Sequence, residues 1–155
     1  MSKIRKELKV SAIENGTVID HITANVVFQV MKILKLDKID RPVLVGTNLG
    51  SKKFGKKGII KVSNKFFESE EINKIALIAS NATLIVIKDF EVVYKKQVEL
   101  PKSIKHFVKC VNPNCITNHE NIETKFDVHF TLENEVKLHC QYCEKFTAQD
   151  NMTFL

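Results

Sequence analysis

The sequence predicts an α+β protein built from two parts of different character. Along the first hundred residues the hydrophobic pattern changes between the strand and helix periods in the order β-α-β-β-α-β, with one further strand. Residues 101–155 instead carry one alternating strand pattern and all four cysteines of the chain. A length of 155 residues, with 44% hydrophobic and 27% charged residues, is typical of a globular protein of one domain or two small ones.

The first part opens with strand candidates and a helix. A β-rich run over residues 8–13 is followed by an Asn15-Gly16 turn, after which residues 17–19 extend or re-enter the sheet. Apolar residues then recur at helical spacing, at positions 27, 30, 31 and 34, with Thr23 or Asn25 available as the N-cap. Two apolar runs, 43–45 and 59–62, predict the next two strands, the first ending at Gly46.

A second helix and a strand pair complete this part. Ser69 is predicted to cap a helix whose inner stripe holds positions 72, 75, 76 and 79. Two β-rich runs, 82–87 and 90–95, are separated only by Lys88-Asp89, which predicts a tight hairpin. This order is that of a ferredoxin-like fold with an added strand, in which both helices pack on one sheet face. A linker is predicted over 97–105, which contains a proline and has no clear period, so we expect domains of residues 1–100 and 101–155.

The four cysteines form two pairs with the spacing of a zinc ribbon. Cys110 and Cys115 bracket one short loop, Cys140 and Cys143 bracket another, and 24 residues separate the two pairs. Four thiolates around tetrahedral Zn²⁺ leave no position for substrate, so the metal is expected to be structural. The alternatives are four unrelated buried thiols, or substitution of one sulfur by His119 or His139. The sequence shows no signal peptide and no transmembrane run, which favours a cytoplasmic protein with reduced thiols.

Positive charge is concentrated in the first part. Residues 1–100 hold 18 Lys/Arg against 11 Asp/Glu, whereas residues 101–155 hold 6 against 7. Nearly all cations are lysines, which suit phosphate groups better than the base edges of DNA. A strand over 57–62 places Lys57 and Lys61 on one face, about 13 Å apart along the strand, which matches the length of a nucleotide. The alternative is a solvated basic face without a ligand.

Two short segments resemble catalytic motifs but lack residues or geometry that those motifs need. The stretch from Gly50 to Lys57 nearly matches a phosphate-binding loop, but Lys57 replaces the required hydroxyl and the segment continues into a strand instead of a helix. Asp20 and His21 are adjacent, and side chains adjacent in an extended strand point to opposite faces, so an acid–base dyad is not expected. The sequence therefore predicts a binding protein that is not an enzyme.

Three strings together resemble the regulatory chain of aspartate carbamoyltransferase over nearly the whole chain. They are G-T-V-I-D-H-I at 16–22, the lysines at 56, 57 and 61, and N-P-N-C-I with C-Q-Y-C-E-K around the cysteines. The resemblance implies a non-catalytic subunit of pyrimidine biosynthesis whose first domain binds CTP or ATP, with UTP as a further candidate. It also implies a regulatory homodimer, a zinc domain docked on the catalytic chain, an assembly of six catalytic and six regulatory chains, and neither nucleic acid nor membrane as a partner.

The same resemblance assigns nucleotide contacts residue by residue. It implies a strand edge that meets base and ribose at Val10, Ala12 and Ile13, and a polar turn beside ribose and phosphate at Asp20 and His21. It also implies ligand-contacting lysines at Lys57, Lys61 and Lys95, and apolar walls around the base at Ile87, Phe90 and Val92. Two departures concern this site: Ile85 stands where well-known members carry asparagine, and Phe90 where they carry tyrosine. The sequence leaves open which nucleotide inhibits, and whether a second nucleotide or Mg²⁺ binds near residues 1–9.

Two other functions would require features that differ from those of this sequence. A zinc ribbon that binds nucleic acid should be basic, yet residues 101–155 sum to −1 before any metal site is counted. An enzyme that consumes a nucleotide would need catalytic groups, for which the chain gives no motif.

Overall fold

The computed structural model describes residues 12–52, 55–133 and 135–155, and the chain divides into two compact units between Glu99 and Leu100. A mixed unit of helices and strands is followed by a small, cysteine-rich unit of strands, which confirms the predicted α+β class. Among the described residues, no helix is long and apolar enough to cross a membrane. The strand predicted at 8–13 lies mostly outside the described residues, and Ala12 and Ile13 belong to no strand.

Within the described residues, the first unit is a five-stranded antiparallel sheet with two α-helices. The elements along the chain are β1 (Gly16–Thr23), α1 (Val27–Ile33), β2 (Val43–Ser51), β3 (Gly55–Ser63), α2 (Ser69–Ile78), β4 (Thr83–Lys88) and β5 (Glu91–Gln97). The strands lie in the spatial order β2-β3-β1-β4-β5, which is the ferredoxin-like order with β5 added beside β4.

The core of this unit lies between the sheet and its helices. Ile19 and Ile60 are opposite each other in the β1–β3 register, and both are fully buried. Gly58 shares the sheet face of Ile60, and a Cβ built on it would lie only 1.9 Å from Cγ2 of Val27. The first helix therefore packs directly on the backbone of β3, and a side chain at position 58 would force Val27 to shift.

Both helices begin differently from the prediction. A 3₁₀ turn over Ala24–Val26 precedes α1, and Thr23 makes no side-chain capping bond. Helix α2 is capped by Glu68 instead of Ser69: its carboxylate accepts the backbone N–H of Glu71, and the Glu71 carboxylate accepts the backbone N–H of Glu68 at 3.2 Å. This reciprocal capping box satisfies two backbone N–H groups, whereas a serine hydroxyl on its own would satisfy one.

Two strand boundaries also differ from the prediction. Strand β2 continues past Gly46 to Ser51, because a register shift between Gly46 and Leu49 lets the chain resume pairing with β3. The β4–β5 turn consists of Asp89 and Phe90, one residue later than predicted, and both have positive φ (53° and 63°). A two-residue hairpin turn of this kind needs positive φ at both positions, which fits the sheet's twist.

The second unit is built from short strands. Its strands are β6 (Ser103–Lys105), β7 (Val108–Lys109), β8 (Lys125–Phe130), β9 (Val136–Cys140), β10 (Phe146–Ala148) and β11 (Thr153–Phe154). Four of them form a sheet in the order β10-β9-β8-β6, and β7 and β11 form a separate pair. Phe126, Leu138 and Val136 fill the core. Because β6 pairs with β8, residues 103–105 belong to this unit. The predicted linker 97–105 is therefore wrong over its last three residues, and also at Gln97, which ends β5 and pairs with Thr83.

Candidate functional site

The four cysteine sulfurs of the second unit converge on one point. All four Sγ atoms lie within 4.8 Å of one another, with Cys110 and Cys143 3.6 Å apart and Cys115 and Cys140 3.8 Å apart. Four sulfurs placed tetrahedrally around Zn²⁺ at about 2.3 Å are separated by about 3.8 Å. The thiols are free of disulfides, so the donor set fits a structural zinc ion and confirms the prediction from the cysteine spacing.

Hydrogen bonds within the first cysteine loop fix its shape. The side-chain amide of Asn118 donates to the carbonyl oxygens of Cys110 at 3.1 Å and of Asn112 at 2.7 Å. The backbone N–H of Cys115 donates to the same Asn112 carbonyl at 3.0 Å. These bonds hold the longer first loop closed, so its two extra residues do not prevent both sulfurs from reaching the cluster.

A tight turn after β9 shapes the second cysteine loop. Glu144 adopts positive φ (63°), and its N–H donates to the carbonyl of Cys140 at 2.9 Å. The N–H of Cys143 points at the Cys140 sulfur, 3.5 Å away. The turn thus returns the chain so that both thiols face the same side.

The environment of the thiols favours a bound cation. Burial raises the pKa of Cys110 and of Cys140, so neither thiol ionises readily unless a positive charge compensates the thiolate. Burial also acts to raise the pKa of Cys143, but hydrogen bonds from the Lys145 backbone N–H and the Asn112 side chain lower it to about 7. The metal-ligand cluster found among the described residues holds the four cysteines and neither His119 nor His139.

A second candidate site lies on the sheet face of the first unit opposite the helices. Nζ of Lys57 lies 2.7 Å from Oδ1 of Asp20, and both side chains are largely buried, with 20% and 15% exposed. Lys61 is opposite Val18 in the β1–β3 register and therefore shares its face. Burial lowers the pKa of Lys61, whereas the negative charge of Asp20 acts to raise it. The predicted pair of lysines thus lies beside one carboxylate.

Apolar side chains form the floor next to these lysines. Ile13, Val18 and Ile59 make a buried cluster, against which Leu49, Ile85 and Ile87 pack. In register, Lys61, Val18, Ile85 and Lys95 form one row across β3, β1, β4 and β5. This face therefore has an apolar middle between two lysine-bearing strands.

The turn predicted to carry Asp20 and His21 is a β-bulge. The β1–β3 register shifts between Ile19 and Ile22, and His21 has positive φ (56°). Its Nδ1 comes within 4.0 Å of Asp20 Oδ2 and contacts Oγ1 of Thr83 at 3.1 Å. The expectation that the two side chains point to opposite faces is wrong, because a bulge suspends the alternation of a regular strand.

The remaining implied contacts are distributed around this face. Val10 lies outside the described residues, and Ala12 is exposed. Phe90 is 66% exposed in the β4–β5 turn, where its backbone N–H donates to the Glu14 carbonyl at 2.9 Å. Val92 is opposite Ile87 but 60% exposed, and Lys95 is exposed on β5.

Sequence reasoning missed two residues of this face. Thr83 is opposite Asp20 in the β1–β4 register, and Leu49 reaches the apolar cluster only because of the β2 register shift. Neither belongs to a motif. Thr83 contacts His21 because β4 pairs with β1, which no local sequence signal indicates.

Comparison with known proteins gives consistent matches along the chain. A family model described as the allosteric domain of the aspartate carbamoyltransferase regulatory chain matches residues 8–99, and one for its metal binding domain matches residues 102–153. An aspartate carbamoyltransferase regulatory chain from Bacteroides fragilis is 44% identical over 155 residues, the full length of both chains. Those from Pyrococcus abyssi and Thermococcus sibiricus are 48% and 50% identical, covering 94% and 95% of this chain and 96% and 95% of theirs.

Proposed function

The chain belongs to the family of aspartate carbamoyltransferase regulatory chains, and from this premise we propose that it senses a nucleoside triphosphate, CTP or ATP, on the lysine-bearing face of its first unit. As a regulatory chain it is a non-catalytic subunit, and its partner is the catalytic chain of that enzyme.

The observation that carries the proposal is the placement of two partly buried lysines beside an apolar floor. Lys57 and Lys61 share the face of Val18 and Ile59, and the row from Lys61 to Lys95 spans three strand spacings, about 14 Å. A nucleoside triphosphate has a planar, partly apolar base at one end and three anionic groups at the other. Ammonium groups around an apolar floor match that distribution of chemistry.

The proposed roles follow from this placement. Lys57, His21 and Lys95 meet the phosphates, Lys61 and Asp20 meet the ribose or base, and Ile13, Ile87 and Val92 line the base. The Lys57–Asp20 ion pair holds one ammonium in place before the ligand arrives. Backbone groups of Val10, Ala12 and Phe90 complete the contacts, and a backbone contact by Phe90 does not need the hydroxyl of a tyrosine.

The proposed mechanism is thermodynamic coupling without chemistry in this chain. An effector shifts the ratio of two quaternary states only by its difference in affinity for them. Couplings of this kind are typically about 1–3 kcal/mol, enough to change a partner's substrate affinity several-fold to about a hundredfold. The metal-bound second unit is proposed to hold the surface that contacts the catalytic chain, and the first unit to pair with its copy in a regulatory dimer.

The wider assembly is proposed from the family premise. Six regulatory chains with six catalytic chains, and UTP as a further effector, belong to the proposal. Free cysteines that act as metal ligands suit a reducing compartment, so the proposal places the protein in the cytoplasm.

Calorimetric titration of CTP, ATP and UTP into the full chain tests the proposal. Lys61→Ala removes one charged contact and should weaken binding about tenfold to a hundredfold. Lys56→Ala is the matched control, because Lys56 lies on the helix side of the sheet, in a groove with Phe28 and Thr47, and should leave affinity unchanged. Absence of binding by every nucleotide, or equal affinity of the Lys61→Ala variant and the unsubstituted chain, would refute it.

A further inference from the structure

The two residues that flank Cys140 both contact one carboxylate. Gln141 donates from its side-chain amide to Oδ1 of Asp127 at 3.0 Å, and Nδ1 of His139 lies 3.7 Å from Oδ2 of the same residue. Asp127 is on β8, directly opposite His139 of β9. One residue of the neighbouring strand thus holds both sides of a metal ligand.

The strand pairing explains why the cysteine and its neighbours face different ways. Cys140 is opposite Phe126 in the β8–β9 register, and both are fully buried. His139, one residue earlier in the strand, points to the other face with Asp127. The inner face therefore carries the Cys140 sulfur, and the outer face carries the side-chain contacts that fix the backbone around Cys140.

An aromatic ring holds His139 from the opposite side. Phe146 of β10 is opposite His139 in register, and the two ring centroids are 4.8 Å apart. His129 of β8 lies with its ring edge-on to that of His139, at 6.0 Å between centroids. The end of β9, where the Cys140–Cys143 loop begins, is thus held from both neighbouring strands.

We propose that Asp127 is a positioning residue of the metal centre, which fixes the Cys140 loop through Gln141 and His139 and so slows loss of the metal. Residues outside the ligand set that orient the ligands commonly change metal affinity about 10–100-fold when they are replaced. Asp127 acts through neighbours of the ligand and is half exposed, so the expected effect is at the lower end of that range.

Release of zinc from the full chain to a chromogenic chelator tests the proposal under reducing conditions. Asp127→Ala should speed release about tenfold, and Asp127→Asn should speed it less, because its amide oxygen still accepts from Gln141. The absorption bands of the Co²⁺-substituted Asp127→Ala chain should shift, since they report the arrangement of the sulfurs. Glu123→Gln is the control, because it removes the same charge from an exposed carboxylate outside this cluster.

Three results would overturn the assignment. The first is a zinc release rate for Asp127→Ala within twofold of that of the unsubstituted chain, and the second is that Glu123→Gln speeds zinc release as much as Asp127→Ala does. The third is that Asp127→Ala and Asp127→Asn speed zinc release equally while the cobalt spectrum is unchanged. The last would indicate a general loosening of the unit. If Asp127→Ala does not load metal, Gln141→Ala breaks the same hydrogen bond from the exposed partner; faster release supports the proposal and unchanged release refutes it.

Discussion

Removal of the metal is expected to unfold the second unit while the first unit stays folded. Residues 100–155 amount to 56 residues by the unit boundary, and a core of that size rarely supplies more than about 3–5 kcal/mol on its own. Structural zinc contributes about 10–16 kcal/mol to comparable small modules at neutral pH. Without the metal only the core contribution remains, and in modules of this size it usually almost cancels against the conformational entropy of the ordered chain, so the metal-free unit should lie near zero stability.

The geometry of the cluster makes this loss local. The four thiols join the loop after β7 to the turn after β9, and burial keeps the thiols of Cys110 and Cys140 neutral without a cation. Neutral thiols hold the two loops together only through weak S–H contacts. The first unit has its own core around Ile19 and Ile60, which does not depend on the cluster.

Differential scanning calorimetry before and after chelation measures the effect. The zinc-loaded chain should give the transitions of both units, and the chelated, reduced chain should keep only that of the first; added zinc should restore the second. Size-exclusion chromatography with the catalytic chain should show loss of the complex in parallel. Lower pH should ease metal loss, because protons compete with the metal for the thiolates. A metal-free chain that keeps both transitions within a few degrees would refute the reasoning.

Two substitutions test the packing of each unit. Gly58→Ala should destabilise the chain by about 1–3 kcal/mol in urea denaturation, because its Cβ meets Val27. Gly50→Ala should not add such strain, because no atom of the part of the chain that the structure describes lies within 4 Å of its Cβ; equal effects would contradict the packing of α1 on β3. Thr147→Val should stabilise the zinc-loaded chain by about 1 kcal/mol and so raise its thermal midpoint, since the Thr147 hydroxyl is buried and has no hydrogen-bond partner among the described residues; a lowered midpoint would show that this hydroxyl is satisfied.

The features that the sequence could predict are those with a local and repetitive signal. Paired cysteines give a metal site because the ligand spacing alone restricts the geometry. Strand alternation placed Lys57 and Lys61 on one face, and the structure puts both beside Asp20. These predictions needed no knowledge of which strands pair.

The features that the sequence did not reveal depend on pairing or on competition between similar caps. Ser69 is a favourable cap in isolation, but Glu68 and Glu71 form two reciprocal bonds and displace it by one position. Residues 103–105 carry no period of their own and become a strand only because β8 offers an edge. Thr83 contacts His21 through the register of β1 with β4, which is a long-range property.

The bulge at Asp20 and His21 shows how a locally irregular backbone builds the candidate nucleotide site. A non-glycine residue at positive φ is uncommon, and such positions often occur at binding sites, where the surrounding structure supports the strain. Regular alternation would direct Asp20 and His21 to opposite faces. The bulge instead brings the histidine ring within 4.0 Å of the carboxylate that pairs with Lys57, so cationic, anionic and imidazole groups meet on one face. A strand that kept its alternation would present only one of the two residues to the same ligand.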